Sequence, residues 1–391
     1  MQNREKRQRR KTGKTADKIF GVVFVVCLLL LMIINIIVPN KEMSSAENRR
    51  LSGRPRMTAD SLLSGDYLRK YEVYLRDQFA GRELLRDIKV TWSRLSGSKE
   101  ENGVLIGKQD QLMEKILAPD QDALSTNLDA IRKYAETHPE IPVNMILVPD
   151  AANILQDKLP YLFQSVDQKR MFAQVKRELE GTVNWIDVEE ILKKHLDEPL
   201  YYKTDKHWTS TGAYYVFQAS AEKLGISSAT AGKFAIYPIT SNFNGDLSAR
   251  SGCEENVKEV IEMYSPVEGD TAVIVNYVDE QRKTTSLYDS SKLKSSYQYE
   301  VFLGGDSSVI DIRTVSESKR RLLVMKDSFA NSFIPFLAPY FREIVVVDPQ
   351  YYSGTIQDIM DTYRITDALI LYSGNTFFQD NNISGVLSSG Q

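Results

Sequence analysis

The sequence predicts an α/β fold, a three-layer sandwich in which a parallel sheet is covered by helices on both faces. Two observations carry this. From about residue 120 onward, segments of helical periodicity alternate with short apolar runs. Four of those runs, 145–148 (MILV), 322–325 (LLVM), 344–347 (IVVV) and 368–372 (ALILY), are apolar throughout, as strands buried on both faces must be. A third observation sets the fold in context: a long apolar segment precedes everything else.

That segment is Ile19 to Val38, broken only by Gly21 and Asn35. Its 20 residues, at about 1.5 Å rise each, match a bilayer core of about 30 Å. Residues 1–18 carry eight Lys and Arg against Glu5 and Asp17. Positive residues stay on the cytoplasmic side, so the expectation is a basic cytoplasmic tail (1–18), one transmembrane helix (19–38) and everything after it outside the cytoplasm. A cleaved signal sequence would have a shorter apolar run, about 7–15 residues, ending at a small-x-small site. Here the run ends in Ile-Ile-Val-Pro-Asn.

The net charge of -3 hides the basic tail, so the rest of the chain is acidic. That argues against a nucleic-acid groove. Hydrophobic residues make up 42%, enough for a sizeable core. Of the two cysteines, Cys27 falls in the apolar segment and Cys253 beyond it, so no disulfide is expected within the outer domain. The three histidines are His138, His195 and His207, too few and too scattered for a histidine-rich metal site. No metal and no cofactor are expected.

Residues 39–57 are polar, with Pro39, Gly53 and Pro55, and read as a linker without regular structure. Residues 58–384 are expected to form the outer domain. Within it, 60–97 reads as two helices joined near Gly81, and Asn102–Glu114 as a short hairpin. Helices are predicted at about 121–137, 167–179, 189–196, 210–224, 329–341 and 355–364. Strands are predicted at Val143–Val148, Val183–Val188, Leu322–Met325, Ile344–Val347 and Ala368–Tyr372. Residues 235–305 break this rhythm and read as an insertion of strands and loops over the sheet edge. The last residues, from about 384, read as a frayed tail.

In open α/β sheets, sites lie at the carboxyl ends of the strands. Three segments there hold candidate chemistry. In Tyr201-Tyr-Lys-Thr-Asp205-Lys-His207-Trp208-Thr209, Asp205 and His207 are two apart and would face the same side of an extended segment. Thr209 or Ser210 can cap the helix that follows. A carboxylate so placed can hold an imidazole tautomer and stabilise its charged form. The plainer reading is a loop leading into a helix, with an Asp cap and an aromatic plug. In Leu322–Phe333 a buried strand runs directly into Lys326-Asp327-Ser328 and then a helix, a nucleophile-elbow context without its flanking glycines. A serine there puts its N–H at a helix amino terminus, which favours an oxyanion. Strand–Asp–Ser–helix is also a common capping arrangement. The third segment, Gly304-Gly305-Asp306-Ser307-Ser308, contains Gly-Asp-Ser, the trio of the SGNH hydrolases, and makes Ser307 a rival nucleophile. The run after it alternates like a strand, so Ser307 ranks below Ser328. Asn375, after the last strand, can donate an amide to an oxyanion, although a turn role is plainer. Tyr201, Tyr202, Tyr351 and Tyr352 can stack on sugar rings, although aromatic pairs more often pack.

Taken together, the segments resemble a known family. YYKTDKHWTSTGAYYVF at 201–217 is similar to the signature of the DHHW proteins, which group with the alginate O-acetylation proteins AlgX and AlgJ among SGNH-like acyltransferases. ENRRL (48–52), YLRDQFAGR (74–82), NGVLIGK (102–108), FLGGD (302–306) and LLVMKDSFANSFIPFLAPYF (322–341) resemble further parts of the pattern, in order. The resemblance implies an SGNH-hydrolase-like, flavodoxin-like fold. It implies a triad of Ser328 as nucleophile, His207 as base and Asp205 as its orienting acid. It implies that Gly304 and Gly305 line the site. Beside the resemblance, Asn375, Tyr202, Trp208 and Tyr351 are oxyanion or substrate-binding candidates. Three positions depart from the pattern. Lys206 stands where the signature has its first His. Asp306 stands where relatives have Asn; a carboxylate beside a developing oxyanion is unfavourable, so Asp306 should point away or be protonated. Gln350 stands where relatives have an Arg.

The implied function is acyl transfer, as an O-acetyltransferase or acetylesterase acting on a cell-surface polysaccharide. A membrane-bound O-acyltransferase would supply the acyl group. A non-catalytic protein that binds polysaccharide or scaffolds its assembly is the alternative. A phosphatase or sulfatase would call for metal ligands that the sequence does not offer.

Overall fold

The computed structural model describes residues 2–44, 49–227, 233–253, 258–268 and 272–388. The chain forms two compact units, Met1–Ser96 and Gly97–Gln391. The division falls after the helices of 59–95, later than the boundary expected at 57/58.

In the first unit one helix runs from Gln2 to Ile37. Its stretch Lys18–Ile37 is long and apolar enough to cross a membrane. The stretch expected to be an irregular linker contains a two-residue strand pair, Met43–Ser44 with Arg49–Arg50. Helices follow at Ala59–Leu63, Asp66–Asp77 and Arg82–Leu95. Gly81, at φ +84°, makes the expected junction before the last of them, a left-handed conformation that favours glycine.

The second unit is built on one eight-stranded sheet. Its strands are β1 (Val143–Val148), β2 (Asn184–Ile186), β3 (Val273–Tyr277), β4 (Arg282–Thr284), β5 (Val309–Thr314), β6 (Arg321–Lys326), β7 (Glu343–Val347) and β8 (Asp367–Ser373). Their order across the sheet is β4-β3-β5-β7-β6-β8-β1-β2. The five strands from β7 to β2 are parallel. β5, β3 and β4 add an antiparallel edge. The sheet is therefore mixed, which corrects the expectation of a parallel sheet with a separate insertion at its edge. The reason is chain length. Parallel neighbours need a crossover of about a dozen residues or more. β5 is joined to β6, which lies beyond β7, only by residues 315–320, too short a link to carry the chain back to the other end of the sheet, so it turns back on itself. Part of the expected insertion thus extends the sheet, while Phe234–Phe243 and Glu259–Pro266 pair as a separate hairpin.

Alternation along the strands divides the core. Ile146, Val148, Leu322, Val324, Ile344 and Val346 face the helix Ser210–Ser220 and the segment from Phe329 to Phe341. Met145, Leu147, Leu323, Met325, Val345 and Val347 face helices Gln121–Thr137, Gln168–Glu178 and Ile356–Tyr363. Two further expectations need correction. The helix expected over 329–341 is three short pieces, Ser328–Ser332, Ile334–Leu337 and Ala338–Tyr340. Pro335 and Pro339 lack the N–H that a continuous helix would need. The tail expected to be frayed is a helix, Asn382–Ser388, with Ile383, Val386 and Leu387 buried against the second core face. Its apolar residues recur at helical spacing, which a seven-residue segment after Asp380-Asn381 conceals. Ile383→Ala is expected to cost about 2–5 kcal/mol in chemical denaturation, as a buried aliphatic truncation does. A frayed end would cost nothing measurable.

Candidate active site

The carboxyl ends of β1, β6, β7 and β8 converge on one edge of the sheet, and polar residues gather there. Residues 200–209 approach it as a tight loop. Tyr201 bridges Trp208, and Thr209 N–H donates to the Leu200 carbonyl at 2.9 Å. Thr209 caps the next helix by accepting the Gly212 N–H at 3.1 Å, as expected. The carboxylate of Asp205 accepts both the backbone N–H of His207 (3.0 Å) and its ring Nδ1–H (2.5 Å). The pair therefore meets through a side-chain-closed turn rather than through an extended segment.

Ser328 follows β6 directly. Asp327 Oδ1 accepts the Phe329 N–H at 3.0 Å, and Oδ2 accepts the Ser373 N–H at 2.9 Å and its hydroxyl at 2.6 Å. Asp327 thus both caps the turn carrying Ser328 and ties the end of β6 to that of β8. Ser328 opens a five-residue 3-10 turn, not the α-helix expected, so a helix dipole contributes little here. Its Oγ lies 2.7 Å from His207 Nε2. With Nδ1–H committed to Asp205, Nε2 is the ring's acceptor, and the Ser328 hydroxyl donates to it.

Asp205 and His207 are buried, while Ser328 is partly open to solvent. Burial works against the charge on Asp205. The attraction of His207 and hydrogen bonds from His207 and Asp246 outweigh it and hold the carboxyl at about 2. Asp205 is therefore ionised throughout the physiological range. Burial likewise opposes the charge on Lys206. Glu114, Asp327, Asp205 and Asp246 surround it and raise its pKa instead, so the substituted signature position carries a firmly positive ammonium.

The remaining sequence candidates lie as follows. Trp208 is fully buried, stacks on Phe333 and donates its Nε1–H to the Phe329 carbonyl at 2.9 Å. It braces the Ser328 turn from behind and offers no surface to a substrate. Tyr202 is buried edge-on against Phe243 and Tyr299. Tyr201 is buried too, with its hydroxyl on the Pro149 carbonyl. Asn375 spends its amide on a neighbouring loop, donating to the Lys115 carbonyl (3.0 Å) and accepting from Leu117 N–H (3.1 Å). These contacts argue for packing and bracing, against stacking or oxyanion roles. Leu303, Gly304 and Gly305 have φ of +57°, +72° and +96°. A Cβ on Gly304 would meet Tyr277 and Arg282 at 2.9 Å, and one on Gly305 would meet Glu300. The glycine pair forms a crowded turn. Tyr351 is half exposed and donates to Asp306 at 3.1 Å, so that carboxylate is held by a phenol. Ser307 donates to Glu280 at 3.0 Å.

Three positioning residues were not foreseen. Tyr299 stacks on the His207 ring at 3.8 Å with 6° between planes, and its hydroxyl bonds Ser332 at 3.1 Å. Its place just before FLGGD was the available signal. Glu259 accepts the N–H groups of Lys203 (2.6 Å) and Thr204 (2.8 Å), clamping the loop before Asp205. It reaches them from the hairpin, and no sequence pattern announced that. Gly245 lies so close to Asp205 that a Cβ would sit 2.3 Å from the Asp205 Cβ and 2.5 Å from its Oδ2. Its φ of -94° is ordinary, so space alone demands glycine. Gly245→Ala is expected to displace the carboxylate and disrupt its 2.5 Å contact with His207 Nδ1, read as loss of the downfield Nδ1–H proton resonance. The thermal midpoint should fall by only a few degrees.

The fold and this edge define an open α/β protein with a hydrogen-bonded Ser–His–Asp set at the carboxyl ends of its parallel strands. The DHHW protein family matches residues 123–347, and the chain belongs to that family. A DHHW family protein from Eubacterium siraeum is similar in structure, with a TM-score of 0.59 at 22% identity, covering 72% of this chain and 97% of that one. Bacillus cereus PatB1, solved with a sulfonyl adduct, has a TM-score of 0.61 at 19% identity, covering 71% and 97%. The O-acetyltransferase domain of Pseudomonas putida AlgJ has a TM-score of 0.45 at 15% identity, covering 70% and 92%. The first two likenesses show the fold. Among curated proteins none matches the sequence.

Proposed function

We propose that this chain is a membrane-anchored serine acyltransferase or esterase, with an SGNH-like fold, that adds or removes O-acetyl groups on a cell-surface polysaccharide outside the cytoplasm. The single observation that supports this most is the unbroken contact from Asp205 through His207 to Ser328, 2.5 Å on one side of the imidazole and 2.7 Å on the other. Ser328 Oγ attacks the acyl carbon while its proton passes to His207 Nε2. Asp205, ionised, stabilises the imidazolium. The tetrahedral adduct collapses and the acyl–donor bond breaks. His207 returns the proton to the leaving oxygen, and the acyl group stays on Ser328. A sugar hydroxyl, or water, then gives its proton to His207 and attacks the acyl carbon; the bond from that carbon to Ser328 Oγ breaks, and His207 returns the proton to Oγ. The basic tail and the apolar helix support an anchor with its amino terminus in the cytoplasm. A membrane-bound O-acyltransferase would deliver the acyl group to such an enzyme.

One observation favours the alternative, a non-catalytic polysaccharide-binding scaffold: the Asn375 amide is spent within the protein. Acetyl content of envelope polysaccharide separates the two. In a deletion strain, the wild-type gene should change that content and Ser328→Ala should not. Equal restoration by both would favour the scaffold.

A further inference from the structure

Two features of the first unit take no part in the chemistry above: Asn35, the one strongly polar side chain in the apolar segment, and the helix that follows Gly81. They belong together. Asn35 Nδ2 donates one turn back to the Leu31 carbonyl at 2.8 Å, and its Oδ1 accepts the Ala80 N–H at 2.8 Å. Gln78 clasps the same region, accepting from Lys41 N–H (2.9 Å) and donating to the carbonyls of Lys41 (2.9 Å) and Ser52 (3.0 Å). Tyr74 donates to Asn40 at 3.2 Å, and Lys41 pairs with Glu83 at 3.5 Å. The turn at 78–81 is thus tied to the last turn of the long helix and the residues just beyond it. The helix Arg82–Leu95 must start at that level.

That helix is sharply two-faced. Leu84, Leu85, Ile88, Trp92 and Leu95 recur at three- and four-residue steps and share one side. They are 63%, 54%, 57%, 72% and 79% exposed. The other flank carries Arg82, Arg86, Lys89 and Arg94 against Glu83 and Asp87. An uncovered stripe of five large apolar side chains marks a surface that something covers. A bilayer fits its position, because the tether starts the helix where an apolar span ends. It also fits the composition, because Trp with Lys and Arg is the mixture that settles at the membrane interface.

We propose that helix Arg82–Leu95 lies in the surface of the bilayer that Lys18–Ile37 crosses, with Leu84, Leu85, Ile88, Trp92 and Leu95 inserted at the boundary between headgroups and acyl chains. This rests on the membrane-anchor reading given above. The full chain, reconstituted alone in phosphatidylcholine–phosphatidylglycerol vesicles, tests it through Trp92. The Trp92→Phe chain supplies the background from Trp185 and Trp208. Lipids brominated near the headgroup end of their acyl chains should remove at least about half of the Trp92 emission, since an interfacial helix buries its apolar face about 5–10 Å deep. Flotation of the same vesicles keeps the two readings apart. A chain that floats with its Trp92 emission unquenched keeps the anchor and overturns the interfacial helix, whether that face then binds a protein or a second copy. A chain that does not float overturns both.

Discussion

Ser328→Ala is expected to reduce turnover of a chromogenic acetyl ester by at least about a thousandfold, while Ser307→Ala retains most of it. The size follows from what is removed. Without Oγ there is no atom to carry the acyl group, and His207 Nε2 has no proton to accept from this side chain. The two serines are a fair comparison, because each sits in a motif that reads as nucleophilic. They differ in their partners. Ser328 has an imidazole nitrogen at 2.7 Å, whereas Ser307 has the Glu280 carboxylate at 3.0 Å. Losing the Ser307 hydroxyl leaves Glu280 short of one hydrogen bond, worth about 1–3 kcal/mol of stability at most. Circular dichroism melting of both variants separates that loss from a loss of chemistry.

Asp205→Asn is the second large effect expected, a drop of about ten-thousandfold in kcat. An amide in place of the carboxylate can still meet Nδ1, but it can present its NH2 and stabilise the wrong tautomer. Nε2 would then carry the proton and could not accept one from Ser328. The charge that balances the imidazolium also disappears. The pH dependence follows from the depressed carboxyl. Because the folded value is lowered to about 2, the stability contributed by ionised Asp205 is present above its ordinary unfolded value of about 3.9. It is lost as pH falls through about 2. Across the neutral range Asp205 is fixed in charge, so a change in kcat there reports another group.

The parallel core was legible from 145–148, 322–325, 344–347 and 368–372 because strands buried on both faces have no polar alternation to conceal them. The antiparallel edge was not, since its direction depends on the six-residue link between β5 and β6. The closing helix Asn382–Ser388 was hidden by its brevity and by the polar residues before it. At the site, Asp205, His207 and Ser328 stood out only together. Each segment alone reads as a cap, and both segments do cap: Thr209 and Asp327 supply those caps beside the chemistry. Two of the aromatic candidates, Tyr202 and Trp208, are buried: they lie close to the imidazole in sequence and are drawn into the packing around it. Gly245 and Glu259 lie 38 and 52 residues of chain from His207, and local pattern carries no trace of such distances. Tyr299, 92 residues away, was marked only by the FLGGD segment that follows it.

In the proposed reaction Ser328 carries the acyl group. Mixing the full chain in detergent with an aryl acetate, quenching in acid and mapping the adduct by peptide mass spectrometry tests this. One acetyl group on the peptide containing Ser328, absent in Ser328→Ala and greatly slowed in Asp205→Asn, is the result predicted. Ester turnover with no acetyl on Ser328, or with the acetyl group on Ser307, would contradict it.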